Sequence, residues 1–307
     1  MNTDVLLACY NGSAFISEQI HSILNQTHKN FILYIRDDGS TDSTLDIING
    51  FDDDRIVLIK DSHLNVGVAR NFQLLMEQSK SEYILFADQD DYWYETKLEK
   101  LLGIAESKFN KNLPSMVYSA GEVVDSNLSS LGVKTVGSNC IDSMSDVLFL
   151  NGGVQGCAML INRPLLSHVL KDNSYWYMHD QIVTLYCSIF GRVHFTDEVL
   201  FSYRQHGSNV LGHSSLGILG NITAVLFGNN DLYLVHKKSF DSINSFYINN
   251  YNILDENTRN ILKSFILICK SNKLLALLII IKSSFKLKSS KLRLLLKVLV
   301  CKELVGK

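Results

Sequence analysis

The chain has 307 residues, 46% of them hydrophobic, and is long enough to bury a large core as one domain or as a domain with an appendage. Its net charge of −2 hides an asymmetry, because residues 263–307 contain eleven Lys and Arg against one acid. That tail carries +10, and residues 1–262 carry −12. An acidic body repels nucleic acid, so we expect no nucleic-acid partner. Any attraction to an anionic membrane surface is expected to come from the tail.

Cysteine usage and hydropathy bear on the cellular compartment. Six cysteines without a CxxC pair are typical of reduced, buried thiols in a cytosolic protein. No basic segment followed by an apolar one precedes the first strand, so we expect no secretory signal. The longest apolar run of the tail, Leu274 to Ile281, has eight residues, whereas a membrane-spanning helix needs about 18 to 20. We therefore predict a cytoplasmic protein that does not cross the membrane.

Four almost wholly apolar runs in the first 90 residues predict strands that are covered on both faces of a sheet. Between them, apolar residues recur at helical spacing, as at Ile16, Ile20 and Ile23. Strands that alternate with single helices indicate a mostly parallel sheet with ligands at the carboxyl ends of its strands. The predicted strands are Val5–Cys9, Phe31–Ile35, Ile56–Ile59 and Tyr83–Phe86.

Each of these strands is followed by a loop with polar or glycine residues, and together the loops form the predicted ligand-binding edge. In the second loop, Thr41 or Asp42 can cap the next helix, which leaves the adjacent Asp37 and Asp38 unexplained. The four loops are residues 10–13, 37–42, 64–67 and 88–91.

The fourth loop, Asp88-Gln89-Asp90-Asp91, clusters three carboxylates where a buried strand meets water. Ionised carboxylates this close repel one another, and a hard divalent metal that holds a phosphate-bearing substrate neutralises them. The loop therefore indicates an enzyme that depends on Mg²⁺ or Mn²⁺. The alternative is an acidic strand-to-helix turn in which Asp91 caps a helix that starts near Glu95.

The pattern is less regular after residue 96. Periodicity predicts helices over residues 97–109, Ile141–Phe149 and Gln181–Phe190. Short strands are predicted at Met116–Ser119, Gln155–Ile161, Arg192–Phe195 and Val199–Tyr203.

Three later segments combine polar residues with glycine or with the start of a helix: Gly156-Cys157, His179-Asp180 and Arg204-Gln205-His206. With the four loops, in this order, they make the chain resemble the family 2 inverting glycosyltransferases of GT-A fold over about residues 5–210. The acidic loop and the string from Tyr203 to Gly207 are similar to those of the bacterial surface-polysaccharide branch, which includes rhamnosyltransferases. The resemblance implies an α/β fold with a mostly parallel central sheet flanked by helices and a helical, basic C-terminal extension.

The resemblance also implies a division of the chain near residue 210. Residues 1–110 would form the nucleotide-binding half and residues 111–210 the acceptor-binding half of the catalytic domain. Residues 211–307 would form the helical extension. The residues implied to bind the nucleotide are Ala8, Tyr10, Asn11, Asp37, Asp38, Gly39, Asn65, Arg70, Asn71, Asp88 and Gln89.

The resemblance further implies a metal on the donor diphosphate, held by Asp90 and His206. Asp180 stands where the family places the base that takes the proton of the acceptor hydroxyl, a poor nucleophile without such help. Many relatives have Glu-Asp at this place, whereas this chain has His179-Asp180, and Asp180 can also be a plain helix cap. The residues implied to contact the acceptor or the diphosphate are Gly156, Cys157, Trp176, His179 and Arg204.

The implied activity is transfer of a sugar from a nucleotide-diphosphate donor to a lipid-linked oligosaccharide, in O-antigen or capsule synthesis. The first donor expected is dTDP-rhamnose, and UDP-hexoses or UDP-N-acetylhexosamines are the alternatives. Two other classes remain open. A nucleotidyltransferase needs a basic, glycine-rich phosphate loop after the first strand, which residues 8–13 lack, and a non-catalytic binding module does not need Asp180.

The tail has two interpretations of its own. Leu and Ile alternate with Lys at Ile266–Ile281 and Leu292–Leu299, which predicts basic amphipathic helices. Such helices lie on an anionic membrane surface and make the enzyme peripheral, or they pack on the acidic body.

Overall fold

A computed structural model of the chain describes residues 2–135, 141, 143–150, 153–206 and 233–306. The chain forms two compact units. The first consists of Met1–Ser138, Val154–Lys171 and Met178–His213, and the second of Asn139–Gly153, Asp172–Tyr177 and Ser214–Lys307. The second unit therefore includes two short segments that precede residue 210 in the sequence.

The first unit is built on a nine-stranded sheet, and its first four strands are all parallel. They lie in the order β3-β2-β1-β4, so the strand order reverses beside β1. Ala8 pairs with both Arg36 and Asp88, which brings the carboxyl ends of three strands to one edge. The four strands are β1 (Thr3–Cys9), β2 (Phe31–Asp37), β3 (Ile56–Leu58) and β4 (Tyr83–Asp88).

Helices connect these strands and confirm the predicted alternation. In the first helix, Ile16, Ile20 and Ile23 are completely buried, as their helical spacing predicts. The fourth helix begins at Lys97 after Thr96, so Asp91 lies too far upstream to cap it, and the capping alternative is wrong. The helices are α1 (Ile16–Leu24), α2 (Thr44–Asn49), α3 (Val68–Gln78) and α4 (Lys97–Lys108).

The sheet continues in the order β4-β8-β6-β9-β5, with β7 paired to β6. Strand β8 runs antiparallel to both of its neighbours, a reversal that no sequence pattern indicated, whereas β6 and β9 are parallel. These strands are β5 (Tyr92–Trp93), β6 (Ser115–Val124), β7 (Ser130–Lys134), β8 (Met159–Asn162) and β9 (Arg192–Arg204).

Two sequence predictions in this half need correction. The predicted strand Gln155–Ile161 is a 3₁₀ turn over Gly156–Ala158 followed by β8. The two predicted strands after Gly191 are one strand, β9, whose register against β6 shifts between Thr196 and Val199. The shift accommodates the exposed pair Asp197-Glu198 without ending the strand, as a β-bulge does.

Two helices complete the first unit, α6 (Arg163–Leu170) and α7 (His179–Phe190), whereas α5 (Met144–Phe149) belongs to the second. Asn162 caps α6 by accepting the N–H of Leu165.

The second unit is mainly helical. Phe149 and Phe265 pack edge to face at 5.3 Å within its core. The predicted helix Ile266–Ile281 is in fact two helices, because Asn272 accepts the N–H of Leu275 and starts a new one. Among the described residues, no helix has the length and hydropathy needed to cross a bilayer. The later elements are β10 (Tyr233–Val235), α8 (Lys237–Asn250), α9 (Glu256–Lys270), α10 (Lys273–Lys282), α11 (Lys291–Val300) and β11 (Glu303–Val305).

Candidate functional site

The loops at the carboxyl edge of the sheet are tied together by bonds between side chains and backbone. The Asn11 N–H donates to Ser40 Oγ at 2.8 Å, and the Thr41 N–H donates to Asn11 Oδ1 at 2.8 Å. The amide of Gln89 accepts from the Tyr10 N–H and donates to the Tyr10 carbonyl, at 2.8 and 3.1 Å. Three of the four predicted loops therefore form one connected edge. Gln89 joins two of these loops, and its contact with the nucleotide stays a prediction.

The outer part of the acidic loop pairs a carboxylate with an imidazole. Asp90 Oδ2 and His206 Nε2 are 2.8 Å apart, and both side chains remain about one-sixth exposed (15% and 16%). The ring of His206 also packs against Phe15, with 4.8 Å between centroids. The chain therefore brings together the two predicted metal ligands across 116 residues of sequence.

The Asp90 and His206 pair fits a divalent metal. Octahedral Mg²⁺ binds its ligands at about 2.1 Å, so two adjacent ligand atoms lie about 3 Å apart. Asp90 Oδ2 and His206 Nε2 are hydrogen-bonded at 2.8 Å, so a metal that replaced the shared proton would meet two ligand atoms at about that spacing. Oxygen and imidazole donors also suit Mn²⁺.

In the inner part of the acidic loop, Asp91 is buried and Asp88 is half-buried. Ligand atoms of Asp88, Asp91 and Cys157 lie within 4.8 Å of one another. Burial raises the pKa of the Asp88 carboxyl, and the neighbouring charge of Asp90 raises it further. Burial also raises the pKa of Asp91 well above its usual value. Cys157 was predicted to contact the acceptor or the diphosphate, but it is buried beside these carboxylates.

Asp180 lies in the first turn of α7, and the negative charge of Asp88 acts on its carboxyl group. Its Oδ1 accepts the N–H of Gln181 at 2.7 Å, and the side chain is half-buried. Met178 is the N-cap, so Asp180 is not the plain cap considered as its alternative. Desolvation raises the pKa of Asp180 to about 8, with a smaller contribution from the negative charge of Asp88. A carboxyl group with this pKa is suited to exchanging protons near neutral pH.

Gly156 and His179 pack against each other in the interior, next to Asp180. The buried ring of His179 stacks on Phe72 with 3.7 Å between centroids. Burial lowers its pKa to about 3, so the ring is neutral. A Cβ on Gly156 would lie 2.2 Å from His179 Nε2, so this close packing requires a glycine. These two residues were predicted to contact the acceptor or the diphosphate, and the structure places both in the interior.

Arg36, which the sequence analysis missed, organises the second and third loops. Its buried guanidinium donates to Asp61 at 2.8 and 2.9 Å, to Asp38 at 3.3 Å and to Asn71 Oδ1 at 3.0 Å. Asp38 in turn accepts the Gly67 N–H at 2.8 Å. Asp38 and Asn71 were predicted to bind the nucleotide, but both are buried and hold the second and third loops together. The sequence feature that indicates a role for Arg36 is its position as a charged residue inside an otherwise apolar strand.

Other predicted nucleotide ligands remain partly open at the same edge. Asp37 Oδ2 accepts the N–H groups of Gly39 and Ser40 at 3.0 and 2.8 Å, and Gly39 has a φ of +91° that favours glycine. Arg70 is paired with Glu77 at 3.0 Å on the surface of α3. The remaining side chains that are at least partly exposed here are Ala8, Tyr10, Asn11, Asn65 and Asp88.

Arg204 differs from its predicted role, whereas the role predicted for Trp176 is neither supported nor contradicted by its position. Arg204 is buried, donates to the Asp90 carbonyl at 2.9 Å and to Glu18 at 2.5 Å, and so holds the acidic loop instead of facing the acceptor. Trp176 belongs to the second unit and is 9% exposed, so its contact with an acceptor sugar stays a prediction. Residues 207 to 209, which followed His206 in the sequence motif, lie outside the described residues.

Comparisons with known proteins agree with this architecture. The family model for Glycosyl transferase family 2 matches residues 4–168. A curated relative is the UDP-Glc:alpha-D-GlcNAc-diphosphoundecaprenol beta-1,3-glucosyltransferase WfaP of Escherichia coli, 38% identical over 34% of this chain and 41% of that protein. Another is the dTDP-rhamnosyl transferase RfbG of Shigella flexneri, 36% identical over 31% of this chain and 35% of that protein. The alignments thus span less than half of the length of these relatives, 41% and 35%.

A solved structure of similar fold is S. aureus TarS 1-349 in complex with UDP-GlcNAc. The TM-score is 0.61 at 15% identity, over 87% of this chain and 72% of that one. At this identity the similarity concerns the fold alone. The family match covers more than half of the chain and agrees with the sheet order, the connected loops and the acidic edge. The chain therefore belongs to glycosyl transferase family 2 and has the GT-A fold.

Proposed function

We propose that this protein transfers a sugar from a nucleoside-diphosphate donor to a hydroxyl of a lipid-linked acceptor, with inversion, in bacterial surface-polysaccharide synthesis. The observation that carries the proposal is the half-buried Asp180, whose raised pKa fits a general base and whose charge interacts with Asp88 of the acidic edge. The name of the Escherichia relative supports a lipid-linked acceptor, and the names of the Escherichia and Shigella relatives both support a nucleotide-sugar donor.

The donor nucleotide is held by the connected loops. Tyr10 and Asn11 offer an exposed ring and an amide beside the turn that begins at Asp37. Asp88, at the end of β4, is the carboxylate nearest to the strand and contacts the ribose. Asn65 and Arg70 contact the donor nucleotide from the other side of the same edge.

The donor diphosphate requires neutralisation, and Asp90 with His206 would hold the metal that provides it. A bound Mg²⁺ or Mn²⁺ stabilises the charge that develops on the leaving diphosphate. Arg204 donates a hydrogen bond to the Asp90 carbonyl and so orients Asp90 for this role. Phe15 packs on the imidazole of His206 and orients it.

Asp180 takes the proton of the acceptor hydroxyl as that oxygen attacks the anomeric carbon from the face opposite the diphosphate. One displacement of this kind inverts the anomeric configuration. Backbone hydrogen bonds from Gly156 and Gln181 orient the Asp180 carboxylate, while burial keeps it basic.

The rate of transfer should therefore depend on pH with a defined sign. Asp180 works only when it is deprotonated, and the pKa of this group is about 8. We expect kcat/KM to rise about tenfold per pH unit from about pH 6 and to level off near pH 8. A kcat/KM that is flat between pH 6 and pH 8, measured at saturating metal, would contradict the assignment of Asp180 as the base.

The donor is identified by binding measurements on the whole chain. Calorimetry with dTDP-rhamnose, UDP-glucose, UDP-galactose and UDP-N-acetylglucosamine, each with Mn²⁺ and with chelator, is expected to give metal-dependent binding of one donor. The resemblance to the surface-polysaccharide branch makes dTDP-rhamnose the first donor expected, and the name of the Escherichia relative supports the alternative UDP-glucose. Binding of none of the four, or equal binding in chelator, would count against a metal-dependent transferase of these sugars.

The second unit supplies a surface suited to the membrane in which a lipid-linked acceptor resides. Helices α10 and α11 expose apolar side chains at helical spacing, and no acid occurs between Glu256 and Glu303. Apolar side chains flanked by lysines are the chemistry of helices that lie on anionic bilayers. The exposed apolar residues are Leu274, Leu275, Leu278, Ile281, Leu292, Leu296 and Leu299.

Charges placed on this face should release the protein from membranes. The triple substitution Leu292→Glu, Leu296→Glu and Leu299→Glu removes three insertable side chains, each of which gains about 1.5 to 3 kcal/mol on full burial. We expect binding to phosphatidylglycerol vesicles, measured by sedimentation, to fall at least about tenfold. Leu131→Glu with Val133→Glu, on exposed strand β7 of the first unit, is the control and should bind as wild type. Equal binding by the triple variant would rule out this face.

A further inference from the structure

Helices α10 and α11 of the second unit form an antiparallel hairpin that lysines close at both ends. Lys291, the first residue of α11, donates to the carbonyls of Ile281 and Ser283 at the end of α10, at 3.1 and 2.6 Å. Lys273, the first residue of α10, donates to the Cys301 carbonyl just after α11. Lysines suit these places because the last carbonyls of a helix carry a negative partial charge. Both ammonium groups are therefore used within the hairpin.

The connection between the two helices contains a two-residue turn with an unfavourable backbone conformation. Leu287 and Ser290 exchange two backbone hydrogen bonds of 3.1 Å around Lys288 and Ser289. These two central residues have φ angles of +49° and +61°, as in a type I′ turn. Such turns favour Asn-Gly, because other residues lose free energy at positive φ. The buried Asp146 accepts the Lys288 N–H at 2.6 Å and so helps to hold the strained turn.

The connection is also strongly basic. Residues 282–293 contain five Lys and Arg and no acid. Lys291 serves as a helix cap, whereas the other four side chains are exposed, and no ion pair among the described residues involves them. Their charge is complementary to an anionic partner. The four are Lys282, Lys286, Lys288 and Arg293.

The neighbouring apolar side chains indicate which anion this partner carries. Ile281 at the end of α10 and Leu292 at the start of α11 are both exposed, so apolar surface continues to each side of the turn. If these side chains enter a bilayer, the turn lies at the level of the headgroups, where lysines reach phosphate oxygens. Nucleic acid also presents phosphates, but it offers no apolar layer to the adjacent side chains.

We propose that the turn Lys286–Ser290 is a binding site for the phosphate groups of anionic phospholipids, with Lys288 as its central contact. The strained backbone presents this lysine at the tip of the hairpin, in agreement with the tendency of strain to occur at functional sites. An Asn-Gly pair would relieve the strain but would remove the cation. The inference rests on the proposed association of α10 and α11 with membranes and adds the chemical group that the turn recognises.

The turn allows strain and charge to be separated by substitution. Ser289→Gly relieves strain and keeps the lysine, whereas Lys288→Asn combined with Ser289→Gly relieves strain and removes the cation. We expect each variant to raise the midpoint of thermal unfolding by about 2 °C. In sedimentation with phosphatidylglycerol vesicles, Ser289→Gly should bind as wild type and the double variant about fivefold more weakly. On phosphatidylcholine vesicles this fivefold difference should disappear.

A matched control removes the same charge elsewhere. Lys263→Gln, at an exposed position in the middle of α9, should change vesicle binding by less than about twofold. An equal loss in Lys263→Gln and the double variant would overturn the proposal, because charge at any position would then suffice. Unchanged binding by the double variant, or the same loss in Ser289→Gly, would also overturn it. If the double variant does not fold, Lys288→Gln takes its place with the same expected loss.

Failure of this inference is distinguishable from failure of the proposed membrane association. If the wild type does not bind phosphatidylglycerol vesicles, the membrane association itself is wrong. The triple variant with Glu at positions 292, 296 and 299 tests the apolar face separately. If that variant loses binding while the double variant of the turn binds as wild type, only the phosphate site at Lys288 is overturned.

Discussion

Asp180→Asn is expected to lower the rate of sugar transfer by about 10³-fold while leaving the dissociation constant of the donor within about threefold of wild type. The amide has the size of the carboxylate and preserves a hydrogen-bond acceptor for the Gln181 N–H, but it cannot take a proton. Loss of transfer with intact donor binding is therefore the signature of a base and not of a donor ligand.

The control for this experiment is Asp197→Asn, an exposed aspartate of β9 in the same unit, which should transfer at the wild-type rate. Weakened donor binding by Asp180→Asn would make Asp180 a donor ligand. Unchanged activity would remove the base from the mechanism and would favour a non-catalytic nucleotide-sugar binding module.

Asp90→Ala is expected to weaken metal-dependent donor binding by about 100-fold or more and to abolish the difference between Mn²⁺ and chelator. The substitution removes one of the two ligand atoms of the partly exposed Asp90 and His206 pair. His206→Gln should change binding in the same direction but less, since the carboxylate charge remains. Calorimetric titration of the donor, with and without Mn²⁺, measures both effects.

Asp54→Ala is the matched control, because Asp54 is an exposed aspartate of the first unit away from β4. Donor binding by Asp90→Ala that still depends on Mn²⁺ at the wild-type affinity would move the metal site elsewhere. Transfer by the wild type in excess chelator would remove the metal from the function altogether.

The parallel part of the fold was predictable because each of its signals is local. Strands that are covered on both faces appear in the sequence as continuous apolar runs. If the strands are parallel, the loops that follow them must meet at one edge of the sheet. The sequence alone therefore predicts that Asn11, Asp37 and Asp88 lie at one edge of the sheet. The antiparallel strand β8 had no such signal, since a short apolar run fits either direction.

The site was harder to predict because the direction of a side chain depends on contacts far away in the sequence. Asp37 and Asp38 are adjacent, yet Asp37 faces the loop and Asp38 faces inward to Arg36. Lys97 and Cys157 meet across 60 residues, so no motif joins them. The pairing of Asp90 with His206 across 116 residues was anticipated only through the resemblance to the family.

The central claim is that the edge formed by Asp90, His206 and Asp180 holds the metal and the donor. Anomalous diffraction from crystals grown with Mn²⁺ and the donor sugar nucleotide tests it most directly. We predict one strong manganese peak within coordination distance of Asp90 and His206, with the anomeric carbon of the donor facing Asp180. A manganese peak at Asp91 and Cys157, or a donor bound away from Asp180, would contradict the account.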